Sequence, residues 1–226
     1  MKKTKHFLLV AICMAFVTIG YAQHQRYSIK NGIGLQGGIT KFDILTDNFE
    51  TKTNSGFIGG LAASVDIPHR WYNVSYNIQL SENNIDINAV NPLTSIEEYI
   101  EYKMFTAQIS FLFHIKLISN NVTLDIGPML QYNSELELKD DSKEGYFITN
   151  YNTLLTEDIT KISQFNANGA VGLSAGFGSF LLRAQYVYGF TNILGKLNDQ
   201  DLSVGNNNEK FKGNQSLLAF TVIITF

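Results

Sequence analysis

From about residue 31 to the end of the chain, apolar side chains fall at every second position in eight separate stretches, with small or polar residues between them. A period of two marks an extended strand whose two sides meet different surroundings. The stretches run about 31–42, 56–67, 71–81, 103–117, 122–132, 166–177, 180–191 and 215–226. In the third, Tyr72, Val74, Tyr76, Ile78 and Leu80 alternate with Asn73, Ser75, Asn77 and Gln79. In the fourth, Phe105, Ala107, Ile109, Phe111, Phe113, Ile115 and Leu117 make one continuous apolar row. Such a row would aggregate in water. Against hydrocarbon it is the surface a strand needs.

The links between the stretches alternate in length. Residues 43–55, 82–102, 133–165 and 192–214 are long, whereas Pro68-His69-Arg70, Ile118 to Asn121 and Gly178-Ser179 are short. This rhythm predicts an all-β fold, a closed eight-stranded antiparallel up-and-down transmembrane β-barrel in the outer membrane. Its tight turns and both termini would be periplasmic and its long loops extracellular. Ile85 and Ile87, and Leu136 and Leu138, carry the alternation past the predicted ends. They point either to a rigid collar above the bilayer or to simple hairpin extension. Pro128 has no backbone donor and sits inside the fifth stretch, so a bulge is expected at Gly127-Pro128.

Charge fits that picture. Of the 20 Asp and Glu residues, all but Asp66 and Asp125 fall in the long links, and these two take inward positions. A carboxylate facing lipid would be costly. At the start of the chain Lys2, Lys3 and Lys5 precede an apolar run from Phe7 to Ile19 and then Gly20-Tyr21-Ala22. The run is shorter than the ~20 residues of a spanning helix. It reads as a secretory signal peptide over 1–22, cleaved after Ala22, leaving the barrel domain at 23–226. The only cysteine, Cys13, lies in that leader. A lipid anchor there is disfavoured because bulky Ile12 precedes it. A net charge of −3, more negative once the basic leader is gone, speaks against nucleic acid as a partner.

Inward polar positions are the candidates for chemistry. His114 and Lys116 on the fourth stretch, Asp125 on the fifth, Asp66 on the second and Arg183 on the seventh are expected to pair inside the barrel, because a buried charge needs a partner. The expected result is a structural plug. Eight strands enclose an interior that side chains fill, so a narrow channel is the lesser reading of the inward polar residues. An enzyme acting on lipid A would need an imidazole at the outer rim. His24, His69 and His114 all lie elsewhere, and no catalytic, metal or cofactor site is expected. Carboxylates of the long links, among them Glu97, Glu98, Glu101, Asp140, Asp141 and Glu144, form a solvated face, with divalent-cation binding as the sharper alternative. A soluble lipocalin-like barrel binding an apolar ligand is the rival architecture.

The chain resembles the PorT-like family of outer-membrane barrels. Four places carry the likeness: the glycine-rich Gly32 to Thr40; Ile126-Gly127-Pro128; Arg183 to Ile193, reading Arg-Ala-Gln-Tyr-Val-Tyr-Gly-Phe-Thr-Asn-Ile; and the terminal Phe226. The resemblance implies an eight-stranded outer-membrane barrel whose final aromatic is read by barrel assembly machinery. It also admits a role in a protein secretion and gliding apparatus. Fold alone does not fix function. The expectation is therefore a non-enzymatic barrel in contact with outer-membrane lipid and lipopolysaccharide, whose external loops bind a protein, a glycan or lipopolysaccharide.

Overall fold

The computed structural model describes residues 30–67, 70–119, 121–202 and 210–226. The leader with Ala22, together with Cys13, His24 and His69, lies outside them. Ten strands follow in chain order: β1 (Lys30–Leu45), β2 (Thr51–Asp66), β3 (Tyr72–Val90), β4 (Glu97–Ile118), β5 (Val122–Asn133), β6 (Glu137–Leu138), β7 (Phe147–Ile148), β8 (Phe165–Phe177), β9 (Phe180–Gly189) and β10 (Asn214–Thr225). Eight of them, β1 to β5 and β8 to β10, pair antiparallel with their sequence neighbours. The ring closes where β10 meets β1, from Gly34 opposite Thr225 to Leu45 opposite Asn214. Closure leaves no barrel edge to protect.

Which face turns outward follows from the alternation. Ile109 is 59% exposed, whereas its neighbours Gln108 and Ser110 are each 2% exposed. Ile33, Leu35 and Ile39 on β1, Ile78 and Leu80 on β3, Leu130 on β5, Leu173 on β8 and Leu182 on β9 are likewise exposed. Gln36, Asn77, Gln131, Asn168 and Gln185 are buried inside. A lipocalin-like barrel would carry the opposite arrangement, with its apolar face within. At the end with short turns, Trp71, Phe177, Phe180 and Phe226 form an exposed aromatic fringe.

Toward the other end both faces change character at one level. Along β3 the outward residues run Tyr76, Ile78, Leu80 and then Glu82, Asn84, Asp86, while the inward ones run Asn77, Gln79, Ser81, Asn83 and then Ile85, Ile87, Ala89. On β4 the outward Glu97, Tyr99, Glu101 and Lys103 give way to Phe105, Ala107 and Ile109; inside, Ile100, Tyr102 and Met104 give way to Thr106, Gln108 and Ser110. The register sets Leu80 opposite Ala107, Glu82 opposite Phe105 and Asn84 opposite Lys103, so the change on the two strands falls within one residue pair of the same height. On β1 the switch lies between Ile39 and Lys41 outside, and between Thr40 and Phe42 inside.

Two of the links expected to be loops are therefore mostly strand. β1 continues to Leu45 and β2 starts at Thr51; β3 continues to Val90 and β4 starts at Glu97. The alternation never stops in these segments. Its polarity reverses, because the surroundings change from lipid-like outside and polar inside to water outside and apolar inside. The extended β3–β4 hairpin is widened by the segment 134–164, whose β6 pairs with β4 and whose β7 pairs with β3. Beneath lies a cap core built from Phe42, Ile85, Tyr102, Leu136, Ile148 and Leu154, among others. Between collar and simple hairpin extension, the geometry is that of a collar whose apolar core continues down into the bore through Met129, Val187 and Leu217.

Pro128 is accommodated differently from expectation. β5 keeps one register with β8 through Gly127 opposite Ala170 and Pro128 opposite Gly169. On the β4 side Ser110–Met129 and Phe113–Ile126 keep the same register, and only the two pairs between them drop out. No bulge forms there. Gly127 explains how: a Cβ on it would lie 1.9 Å from the Phe111 carbonyl oxygen, so β4 presses against bare backbone where the donor is missing. The ladder irregularities sit at Lys116/Ile118 of β4 and Thr53/Phe57 of β2.

Candidate functional site

Inside the barrel, toward the end with short turns, Asp125 of β5 is wholly buried and gathers four side chains. His114 Nδ1 lies 2.7 Å from its Oδ1, and Thr123 Oγ1 donates to the same oxygen over 2.7 Å. Arg183 Nε donates to Oδ2 over 3.1 Å, and Ser174 Oγ donates to Oδ2 as well. All five residues sit at inward parity on β4, β5, β8 and β9, and the β4–β5 register places His114 directly opposite Asp125. Lys116 instead pairs with Asp66, at 3.1 Å, nearer the turns. The five charged residues singled out by sequence thus form two groups, Asp125 with His114 and Arg183, and Asp66 with Lys116.

Sequence reasoning missed Ser75. Its Oγ stands 2.7 Å from His114 Nε2, which completes a serine–imidazole–carboxylate chain at hydrogen-bond distances. Only the β3–β4 register brings it there, and register is not readable from one strand's pattern. Such a chain can activate a nucleophile when the hydroxyl is open to substrate and free N–H donors await an oxyanion. Here Ser75 is 2% exposed, its Oγ also accepts from Asn77 Nδ2 at 3.1 Å, and Arg183 shares the carboxylate that would support the imidazole. The strand N–H groups around it belong to the barrel ladder. A cavity of about 260 Å3 opens below, lined by Asp66, Ser75, His114, Thr123 and Arg183 among others.

Above this cluster, amides fill the bore. Gln108 Nε2 donates to Gln79 at 3.0 Å and Gln79 Nε2 to Gln36 at 3.1 Å. Gln131 and Gln215 bridge the opposite wall, with Asn168 donating to Gln131 at 2.7 Å. Asn83 ties Ser81, Thr106 and Thr40 just beneath the cap. A bore crossed by hydrogen-bonded amides is a plug, as the narrow interior of eight strands requires.

The cap carries its own charged contacts. Tyr99 Oη donates to Glu50 at 2.6 Å and Asn88 Nδ2 to the same carboxylate at 3.1 Å. The Tyr99 hydroxyl first, and then the Asn88 amide, hold Glu50 below the ordinary glutamate value. Lys143 reaches Glu98 at 2.7 Å and is raised by that bond. Among the described residues no group of three or more His, Cys, Asp or Glu could hold a metal ion.

An apolar exterior, a polar plugged interior and a closed ring define the class of the chain: an eight-stranded antiparallel β-barrel built inside out relative to a soluble one. No protein-family model matches it, and no curated protein does. Among solved structures, Neisserial surface protein A is similar, with a TM-score of 0.47 and 11% identity over 88% of this chain and 99% of that one. The translocator domain of the autotransporter NalP from Neisseria meningitidis is similar with a TM-score of 0.31 and 9% identity, over 100% and 98%. At those values the ring's own pairing defines the fold, and the PorT-like resemblance rests on the quoted residues alone.

Proposed function

We propose that the chain spans the outer membrane as a non-enzymatic barrel and that its cap engages a partner at the cell surface, a protein, a glycan or lipopolysaccharide. One observation carries the reading: both faces of the wall reverse polarity at the level of Leu80 and Ala107. A lipid boundary explains a reversal at one height on several strands. A soluble barrel has no use for it. On this reading the short turns and the terminal Phe226 lie in the periplasm, where assembly machinery meets the aromatic end. The cap stands outside.

The plugged bore supports a binding role over transport, and the rigid apolar core beneath the cap supports presentation of a fixed surface. That surface is rich in carboxylates at Asp86, Glu97, Glu101, Asp140, Asp141 and Glu144, which favours a partner bearing basic groups. Single-cysteine variants at Ile109, Phe113 and Asp86 test the placement. In intact cells, Asp86→Cys should react with a membrane-impermeant maleimide, while Ile109→Cys and Phe113→Cys should be reached only by a lipid-soluble one. Reaction of all three with the impermeant reagent, or recovery of the chain in the periplasmic fraction, would sink it.

A further inference from the structure

Val90, the last residue of β3, lies ten residues beyond Leu80, about 33 Å along the strand at a rise of about 3.3 Å per residue. Past it the turn 91–96 joins β3 to β4 and forms the apex of the hairpin. Above the polarity reversal the outward face of β3 is polar, with Glu82, Asn84 and Asp86 in turn. At the apex apolar side chains return. Leu93 is 92% exposed and Ile96 63% exposed, and Leu93 is the most exposed large apolar side chain among the described residues.

A single exposed leucine needs no explanation. This pair stands on a turn that is held. Asn91 Oδ1 accepts from Leu93 N at 2.8 Å and from Thr94 N at 3.3 Å, and the Asn91 carbonyl accepts from Ser95 N at 2.9 Å. Asn91 N donates to the Ile96 carbonyl at 3.0 Å. Asn91 Nδ2 donates to Tyr146 Oη at 2.8 Å, which ties the turn to the segment 134–164. Pro92 fixes one more dihedral, and Ser95 is kept at a φ of 55°, a conformation that a residue with a Cβ adopts only at a cost. Side chains displayed on such a frame lose little freedom on contact.

Position and charge select the occupant. So far from the hydrocarbon belt, the pair cannot reach acyl chains. Residues 82–101 hold Glu82, Asp86, Glu97, Glu98 and Glu101 and no Lys or Arg. Glu98 is matched by Lys143 and Glu101 by Lys139. Glu97 and Asp86 accept from Asn88 and Asn54 and make no ion pair among the described residues. This acidic shoulder repels the phosphates of lipopolysaccharide and the same apex on a second copy. A neutral glycan has no apolar surface to cover two aliphatic side chains.

Resting on the cell-surface reading above, we infer that the apex is the point of contact and that its partner is a protein presenting an apolar socket bordered by Lys or Arg. Leu93 and Ile96 fill the socket, and the shoulder at Glu97 and Asp86 meets the rim.

The test is photo-crosslinking in intact cells with p-benzoylphenylalanine at Thr94, an exposed position whose backbone donor the substitution keeps, with the adducts identified by mass spectrometry. The chain should give one discrete protein adduct. Leu93→Asn and Ile96→Asn should lose it and Glu97→Lys should weaken it, whereas Leu45→Asn, the same change at an exposed apolar residue away from the apex, should keep it. With the identified protein and the detergent-solubilised full chain, Leu93→Asn should weaken binding by about tenfold or more, and the loss caused by Glu97→Lys should shrink as salt is raised. Heat-dependent gel mobility and protease resistance of 134–164 confirm that each variant keeps its barrel and its cap. The inference is overturned by an adduct that persists in both apex variants, by an adduct to lipopolysaccharide or another glycan, by a self-adduct of twice the chain's mass, or by no adduct. A protein adduct indifferent to Glu97→Lys overturns the basic rim. An Asp86→Cys closed to the impermeant maleimide sinks the cell-surface reading itself; an open one, with no protein adduct at Thr94, sinks only the apex.

Discussion

Asp125 shows most clearly how single residues are held. Removing its carboxylate strands Arg183 and His114 in a bore with little water, and breaking a buried pair by deleting one partner costs about 3–5 kcal/mol. Asp125→Ala should therefore lower the urea midpoint of the barrel sharply in lipid or detergent, and Asp125→Asn combined with Arg183→Met should recover much of the loss. If the double variant is no better than Asp125→Ala, the ion pair is not what the carboxylate is for. Ser75 tests the non-enzymatic reading at the same spot: a fluorophosphonate probe should leave it unlabelled, and specific labelling abolished by Ser75→Ala would reverse the assignment. On the cap, Glu50 has a lowered pKa, so its contribution is complete above the ordinary glutamate value and fades only as pH falls through the depressed one. Protease resistance of the cap should then be flat from neutral pH down to the ordinary glutamate value and decline below it, whereas Glu50→Ala, which removes the acceptor for Tyr99 and Asn88, should lower it at every pH.

At the scale of elements, the β3–β4 hairpin is the part that the sequence concealed. Eight alternating stretches were legible because each barrel strand needs one apolar side, and the seams between them carried turn residues such as Gly178-Ser179. The upper half of the hairpin reads as loop from sequence because Glu82, Asp86, Glu97 and Glu101 stand where apolar residues would mark the outward side. Ile85, Ile87, Ile100 and Tyr102 had meanwhile taken over the inward one. Pro128 misled in another way: its missing donor was legible, but the compensation lies in how closely β4 approaches Gly127, which is set by the neighbouring strand. The interior network was half legible, since inward parity named Asp125 and Arg183 while Ser75 and Ser174 depended on register. Most of the apolar core packs under the cap rather than in the bore, so the hairpin should fail before the wall. Ile87→Ala, at a cost of about 2–5 kcal/mol, should let protease cut within 134–164 while gel mobility still reports a folded barrel. Simultaneous loss of both would mean that cap and wall form one cooperative unit.

For the molecule as a whole, the hydrocarbon belt is the organising constraint, and its consequence is a depth dependence. Ile109→Arg places a cation in the exposed apolar row and should cost about 2–4 kcal/mol. Asp86→Arg, above the reversal, should cost little. Comparable losses at both would contradict a bilayer boundary at Leu80 and Ala107. The junction of β1 with β10 has a different consequence. It joins the first and last of the described strands, so the ring is complete only once β1 and β10 have met. Contacts this distant in sequence form slowly. An unclosed sheet would present two bare edges and an apolar outer surface, the combination that invites edge-to-edge pairing with other chains.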